Sequence, residues 1–211
     1  MFLLDAFVYL GIIAAGISGA LIGIKKELDL FGVICLCVAT SLGGGIIRDL
    51  LVGNVPPIAF VEPSYFFVSL SAAILTWCFY ERINRLGQII LISDAIGLGV
   101  FTAVGSNTAI TLFPDESFLV VSMGLITGIG GGVLRDLFVK EIPYVFRKEI
   151  YAIASILGAV SLILTYNVVP HIVSLYICFG ITFILRMVSV FFNLNFPVLA
   201  AEKKKSGSVG K

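Results

Sequence analysis

Residues 43–50 read Gly43-Gly44-Gly45-Ile46-Ile47-Arg48-Asp49-Leu50, and residues 130–137 read Gly130-Gly131-Gly132-Val133-Leu134-Arg135-Asp136-Leu137, an offset of 87. Pro56 and Pro143 continue the same register. A second match precedes each string: Asp5-Ala6 with Ala14 and Gly16 returns as Asp94-Ala95 with Ala103 and Gly105, at an offset of 89. The chain therefore reads as two copies of one unit, each carrying a triple glycine and an Arg-Asp pair inside apolar sequence.

The surrounding composition says what kind of unit this is. The 211 residues are 59% hydrophobic and 13% charged, with a mean hydropathy of +1.09. That excludes an ordinary soluble domain. Seven apolar runs can be drawn: 3–24, 28–52, 64–80, 89–113, 118–139, 150–169 and 172–192. Seven runs of roughly 20 residues each consume most of the chain, leaving no room for a separate catalytic or nucleic-acid-binding domain. The expected fold is an all-α integral membrane protein: seven transmembrane helices forming one domain over 1–200, with repeat 1 at 3–80, repeat 2 at 89–169, an extra helix at 172–192 and a flexible polar tail at 201–211. The first run carries Asp5, lacks a basic leading segment and has no small-residue cleavage site before Lys25, so it reads as a retained helix and not a signal peptide.

Charge placement sets the expected orientation. With the N-terminus outside, Lys25, Lys26, Arg82, Arg85, Lys140, Arg147, Lys148, Lys203, Lys204, Lys205 and Lys211 all fall in inside segments, whereas the outer connectors carry Glu62, Asp115 and Glu116. This is the positive-inside pattern. A three-span repeat crosses the membrane an odd number of times, so its second copy enters from the opposite face and the two copies form an inverted pair.

Three arginines, Arg48, Arg135 and Arg186, fall in or at the edges of the runs and demand partners, because a lone charge in hydrocarbon is expensive. Inverted geometry places Asp5, Arg48 and Asp49 in an outer cluster and Asp94, Arg135 and Asp136 in an inner one. Such clusters either bound a water-filled pore at each end or lock neighbouring helices together. The triple glycines Gly43-Gly44-Gly45 and Gly130-Gly131-Gly132 either kink their helices and expose carbonyl oxygens suited to a cation, or provide close helix packing. Their occurrence at matched positions points to the kink. Hydroxyls in membrane helices commonly bond their own i−4 carbonyl; Thr40, Ser41 and Thr127, just before the glycines, are expected to line the pore instead. Ala15, Gly19, Gly23, Ala95, Gly99 and Ala103 mark packing seams. Arg186 either snorkels inward or pairs with another helix or subunit. His171 reads as a surface residue, and Cys35, Cys37, Cys78 and Cys178 as small packing residues without metal-ligand spacing. The string Gly128-Ile129-Gly130-Gly131-Gly132 lacks the preceding strand of a dinucleotide site, and no nucleophile elbow or P-loop is present.

At the doubled Gly-Gly-Gly-x-x-Arg-Asp, with three-plus-three spans and a seventh helix, the sequence resembles the trimeric intracellular cation (TRIC) channels in their short prokaryotic branch, over about residues 3–195. That branch overlaps a domain family labelled as a glycine transporter. The resemblance implies a homotrimer with a pore in each protomer, an hourglass passage between the kinked second and fifth spans, residence in the prokaryotic plasma membrane, and passive flux of monovalent cations, chiefly potassium. It places the six repeat glycines at the kinks and Arg48 and Arg135 beside the pore. Animal members carry a Lys-Glu-Val element on the second helix that helps bind phosphoinositide; here the corresponding stretch reads Ile46-Ile47-Arg48-Asp49, so that role does not carry over.

The function expected is thus a potassium-permeable channel and not an enzyme, with no cofactor, no metal beyond passing cations, no nucleic-acid partner, and membrane lipid around it. The alternative is a secondary transporter of glycine or another small amino acid, whose broken helix ends hold a carboxylate at the midplane. A non-transporting scaffold is a third class.

Overall fold

The computed structural model describes residues 2–86, 88–147 and 150–192, so the expected polar tail, with Lys203 to Lys205 and Lys211, and Lys148 lie outside the described residues. The described residues form ten helices: α1 (Phe2–Lys25), α2 (Leu30–Leu51), α3 (Ile58–Val61), α4 (Pro63–Cys78), α5 (Tyr80–Asn84), α6 (Ile89–Leu112), α7 (Ser117–Phe138), α8 (Tyr144–Arg147), α9 (Ile150–Thr165) and α10 (His171–Phe191). The protein is an all-helical membrane protein. Helices α1, α2, α6, α7 and α10 are long and apolar enough to cross a bilayer. Helices α4 and α9 are apolar but have 16 residues each. At about 1.5 Å per residue they reach roughly 24 Å, short of a typical hydrocarbon core of about 30 Å.

Local signals set the helix ends. The Asp29 carboxylate accepts a hydrogen bond from the Gly32 N–H at 2.7 Å and caps α2. Pro63 opens α4, where its missing N–H has no ladder partner to lose. Helices α2 and α7 end in the same way. Gly53 takes φ +76° and Lys140 φ +57°, and the N–H groups of Asn54 and Glu141 then reach back to the carbonyls of Asp49 and Asp136 at 2.8 and 2.9 Å. The two copies thus share a left-handed cap, met by glycine in one and by a lysine under some strain in the other.

Contacts between elements follow the repeat. Helix α1 packs on α2 and α4 as α6 packs on α7 and α9; α2 touches α4 as α7 touches α9; and the copies meet through α1 against α6 and α2 against α7. Helix α10 stands outside this pattern, packing on α6 and α9. The seams between helices are lined with small residues. A Cβ on Gly19 would press on Thr40, one on Gly23 on Val33, and one on Gly99 on the Phe179 ring and carbonyl. The distribution of polarity is the reverse of a soluble protein. Ser18, Thr40, Arg48, Asp49, Thr102, Arg135 and Arg186 are buried, while Phe31, Phe60, Phe118, Leu164, Val168 and Phe191 are exposed, as lipid requires of an outer surface. Cys37 and Cys178 are buried packing residues as expected, but Cys35 and Cys78 are exposed.

Candidate functional site

The two triple glycines meet at the centre. A Cβ on Gly131 would fall on the carbonyl oxygen of Thr40, and one on Gly44 on that of Thr127. Each glycine therefore lets one backbone lie directly on the other, a close approach of Cα–H to carbonyl that any side chain forbids. Helices α2 and α7 nevertheless run unbroken through Gly43 to Gly45 and Gly130 to Gly132. The glycines thus bring the two backbones together at this crossing.

On one side of this crossing lies Arg48, 5% exposed. Its Nε and Nη2 donate to Asp49 Oδ1 at 2.9 and 2.7 Å, and Asp49 Oδ2 accepts the first N–H of α3, from Ile58, at 2.9 Å. On the other side Arg135 donates from Nε to Asp136 Oδ1 at 2.9 Å, and from Nη1 to Asp94 Oδ1 at 2.6 Å and Ser18 Oγ at 2.8 Å. Asp136 Oδ2 accepts the Tyr144 N–H that opens α8, at 2.8 Å. Each aspartate thus ties its arginine to the short helix leading into α4 or α9. Desolvating these charges is compensated only because each has a partner.

The clusters are not equivalent. Asp94, Arg135 and Asp136 come together as expected, with Ser18 of α1 as an additional partner. Asp5 does not join Arg48 and Asp49: among the described residues it forms no ion pair. Both guanidinium bonds of Arg48 are spent on the adjacent Asp49, whereas Arg135 splits its donors between Asp136 and the facing helix α6.

A cavity of about 40 Å³ opens at Arg48, lined by Val8, Ile12, Ser41, Leu42 and Tyr65 among others. A second, of about 10 Å³, lies on the Arg135 side, lined by Ala15, Thr40, Asp94, Gly131 and Tyr151 among others. Such volumes hold a few waters and about one water respectively. The hydroxyls behave otherwise than expected. Thr40, Ser41 and Thr127 all bond their own helix, to the carbonyls of Leu36, Cys37 and Met123 at 2.6, 2.9 and 2.6 Å. Thr40 and Ser41 still line the two cavities, but Thr127 lines neither and packs where a Cβ on Gly105 would sit.

Arg186 is buried and, among the described residues, pairs with no acid. It is 1% exposed, its carbon Cζ lying 4.8 and 4.9 Å from the ring centres of Tyr144 and Tyr151, with Nε and Nη2 lacking hydrogen-bond partners. His171 is exposed, as expected, and hydrogen-bonded to Asn107 at the end of α6. Sequence reasoning missed Tyr65 and Tyr151. Their near-matched places early in α4 and α9 were the available signal.

Comparison with known proteins now bears on this geometry. A family model described as glycine transporter matches twice, over residues 5–81 and 91–167. A membrane protein of Vibrio cholerae in the UPF0126 group is 34% identical over 210 residues, covering 96% of this chain and 84% of the relative. The UPF0126 inner membrane protein YadS of Escherichia coli K12 is 35% identical over 192 residues, covering 89% and 91%. A solved structure of a prokaryotic TRIC channel in 0.5 M KCl superposes with a TM-score of 0.86 at 40% identity, covering 93% of this chain and all of that one. A TRIC trimeric intracellular cation channel orthologue from Rhodobacter sphaeroides gives 0.86 at 30% identity, covering 92% and 100%. The chain belongs to the TRIC family, in its prokaryotic branch. The glycine-transporter and UPF0126 labels are names for the same group of sequences. As a TRIC protein the chain is a multi-pass protein of the prokaryotic plasma membrane, and its solved TRIC neighbours are channels and not enzymes.

Proposed function

We propose that the protein is a monovalent cation channel, chiefly potassium-permeable, with a separate pore in each protomer of a homotrimer. The observation that carries this reading is the pair of cavities on either side of the Gly44–Gly131 crossing, each with one member of a buried ion-pair cluster in its wall, Arg48 in the first and Asp94 in the second. A cation passing such a path meets carboxylates already neutralised by arginine, so it is screened from water without being bound tightly. Similarity to structures named as TRIC cation channels supports the same function.

The path runs between α2 and α7. Gly43, Gly44, Gly45, Gly130, Gly131 and Gly132 with Thr40, Ser41 and Thr127 form the waist. Asp5, Arg48 and Asp49 flank the outer mouth, and Asp94, Arg135 and Asp136 the inner one. The chain crosses the bilayer seven times with its N-terminus outside, α4 and α9 being extended by the adjoining short helices. Contacts between connectors agree with this sidedness: Lys26 pairs with Glu141 at 2.5 Å across two connectors assigned to the inside.

Single-channel recording from purified protein in planar bilayers under a potassium gradient tests the reading. Discrete steps reversing near the potassium potential, and altered by combined Arg135 and Gly131 substitutions, are expected. Silent bilayers together with saturable uptake of labelled glycine into liposomes would overturn it in favour of a carrier.

A further inference from the structure

The walls of the two cavities share one side chain. Moving from the Arg48 cavity to the Arg135 cavity, the boundary falls between Ile12 and Ala15 on α1, between Ser41 and Thr40 on α2, and at Phe101 on α6. Phe101 alone lines both. Its ring lies against α1, where a Cβ on Gly11 would press on Val100 and come within 3.3 Å of the Phe101 ring. By the offset of 89 that relates Asp5 to Asp94, the position equivalent to Phe101 is Ile12, which faces the same boundary from α1. The repeat thus brings two apolar side chains to its own axis, one of them an aromatic. Arg48 and Ser41 stand in the wall of one cavity and Thr40 and Asp94 in that of the other, so polar side chains lie to both sides of this apolar pair.

We propose that Phe101 is the gate of the channel: an apolar plug that keeps water and ions from passing between the Arg48 and Arg135 cavities until α6 shifts or the ring turns. The inference rests on the channel reading above. An apolar constriction of this size excludes a hydrated ion by refusing to wet, without a charge or a steric seal made by backbone. Rotation of one ring about its side-chain torsions, or a small displacement of α6 against α1, joins the cavities and leaves both arginine clusters in place. The glycine crossing then acts as a fixed wall beside the gate and not as the gate itself.

The test uses current and access together, in full-length protein with Cys35, Cys37, Cys78 and Cys178 replaced by alanine. Phe101→Ala is expected to raise the open fraction or the unitary current by roughly twofold or more, Phe101→Trp to lower it by a similar factor, and Phe101→Leu to stay near the parent. Access is read at Ser41→Cys and Thr40→Cys, neighbours in sequence that face different cavities. With Phe101 present a membrane-impermeant thiol reagent should reach Ser41→Cys from the Arg48 side alone and Thr40→Cys from the Arg135 side alone; with Phe101→Ala each becomes reachable from both. Unchanged current in all three Phe101 variants, or access from both sides with the phenylalanine intact, would overturn the gate. A parent protein that carries no current would count against the channel reading, while thiol access would still decide whether Phe101 divides the cavities.

Discussion

A methyl group at Gly131 would land on a backbone carbonyl of α2, and backbone cannot rotate away as a side chain can. One residue along in the first copy from Gly44, its equivalent, Gly45 has no neighbour closer than Arg48 Nη2 at 3.9 Å. Adjacent glycines of one motif therefore differ in what they are for. Gly44→Ala and Gly131→Ala are each expected to lower stability by about 1–3 kcal/mol or more, as α2 and α7 are forced apart. Gly45→Ala is expected to gain roughly 0.5–1 kcal/mol from helix propensity. Thermal unfolding of the purified protein in detergent reads both, and equal melting temperatures for Gly45→Ala and Gly131→Ala would contradict the crossing described. The doubled motif itself was legible in the sequence. Which glycine bears the contact was not, because that depends on the rotation of one helix against the other.

At the scale of the element, α10 lies outside the repeat and is tied to α8 and α9 by Arg186, whose guanidinium is stacked between two tyrosine rings and lacks partners on Nε and Nη2. Desolvated cation–π contacts contribute about 2 kcal/mol each, and a buried donor without a partner costs about 1–3 kcal/mol. The two effects nearly offset. Arg186→Met, which keeps length and apolar volume, is expected to change stability by less than about 1.5 kcal/mol in either direction. A loss of folded protein in detergent unfolding experiments would show that a further acceptor holds the guanidinium. Sequence pattern located α10 within a residue or two and left the partner of its arginine open; within this chain the guanidinium meets rings on α8 and α9. Thr127, just before the triple glycine, bonds the Met123 carbonyl through its hydroxyl, and its Oγ1 and Cβ face Gly105.

At the scale of the molecule, the repeat predicts the membrane topology. A cysteine at Glu116, in the connector from α6 to α7, is expected to react with an impermeant maleimide added to intact cells. A cysteine at Lys26, in the connector from α1 to α2, is expected to react only after permeabilisation. Native Cys35 and Cys78 are exposed and must be removed first. Labelling in the reverse sense would overturn the orientation, and labelling of both sites from one side would overturn the inverted repeat.

Some of this protein was determined by the chain alone. Hydropathy required a membrane protein, since nothing else solvates so apolar a sequence, and periodic recurrence of Asp5, Gly43 to Asp49 and Pro56 set two equivalent units. The need of Arg48 and Arg135 for acidic partners followed as well, because a lone charge in hydrocarbon is expensive. Tertiary structure decided what depends on rotation and rotamer. It settled that Arg48 folds back on Asp49 and leaves Asp5 aside, that the glycines bring backbones together without interrupting either helix, and that Phe101 falls between the two cavities. No periodicity encodes these, because an interior apolar side chain looks the same in sequence whether it packs a core or closes a path.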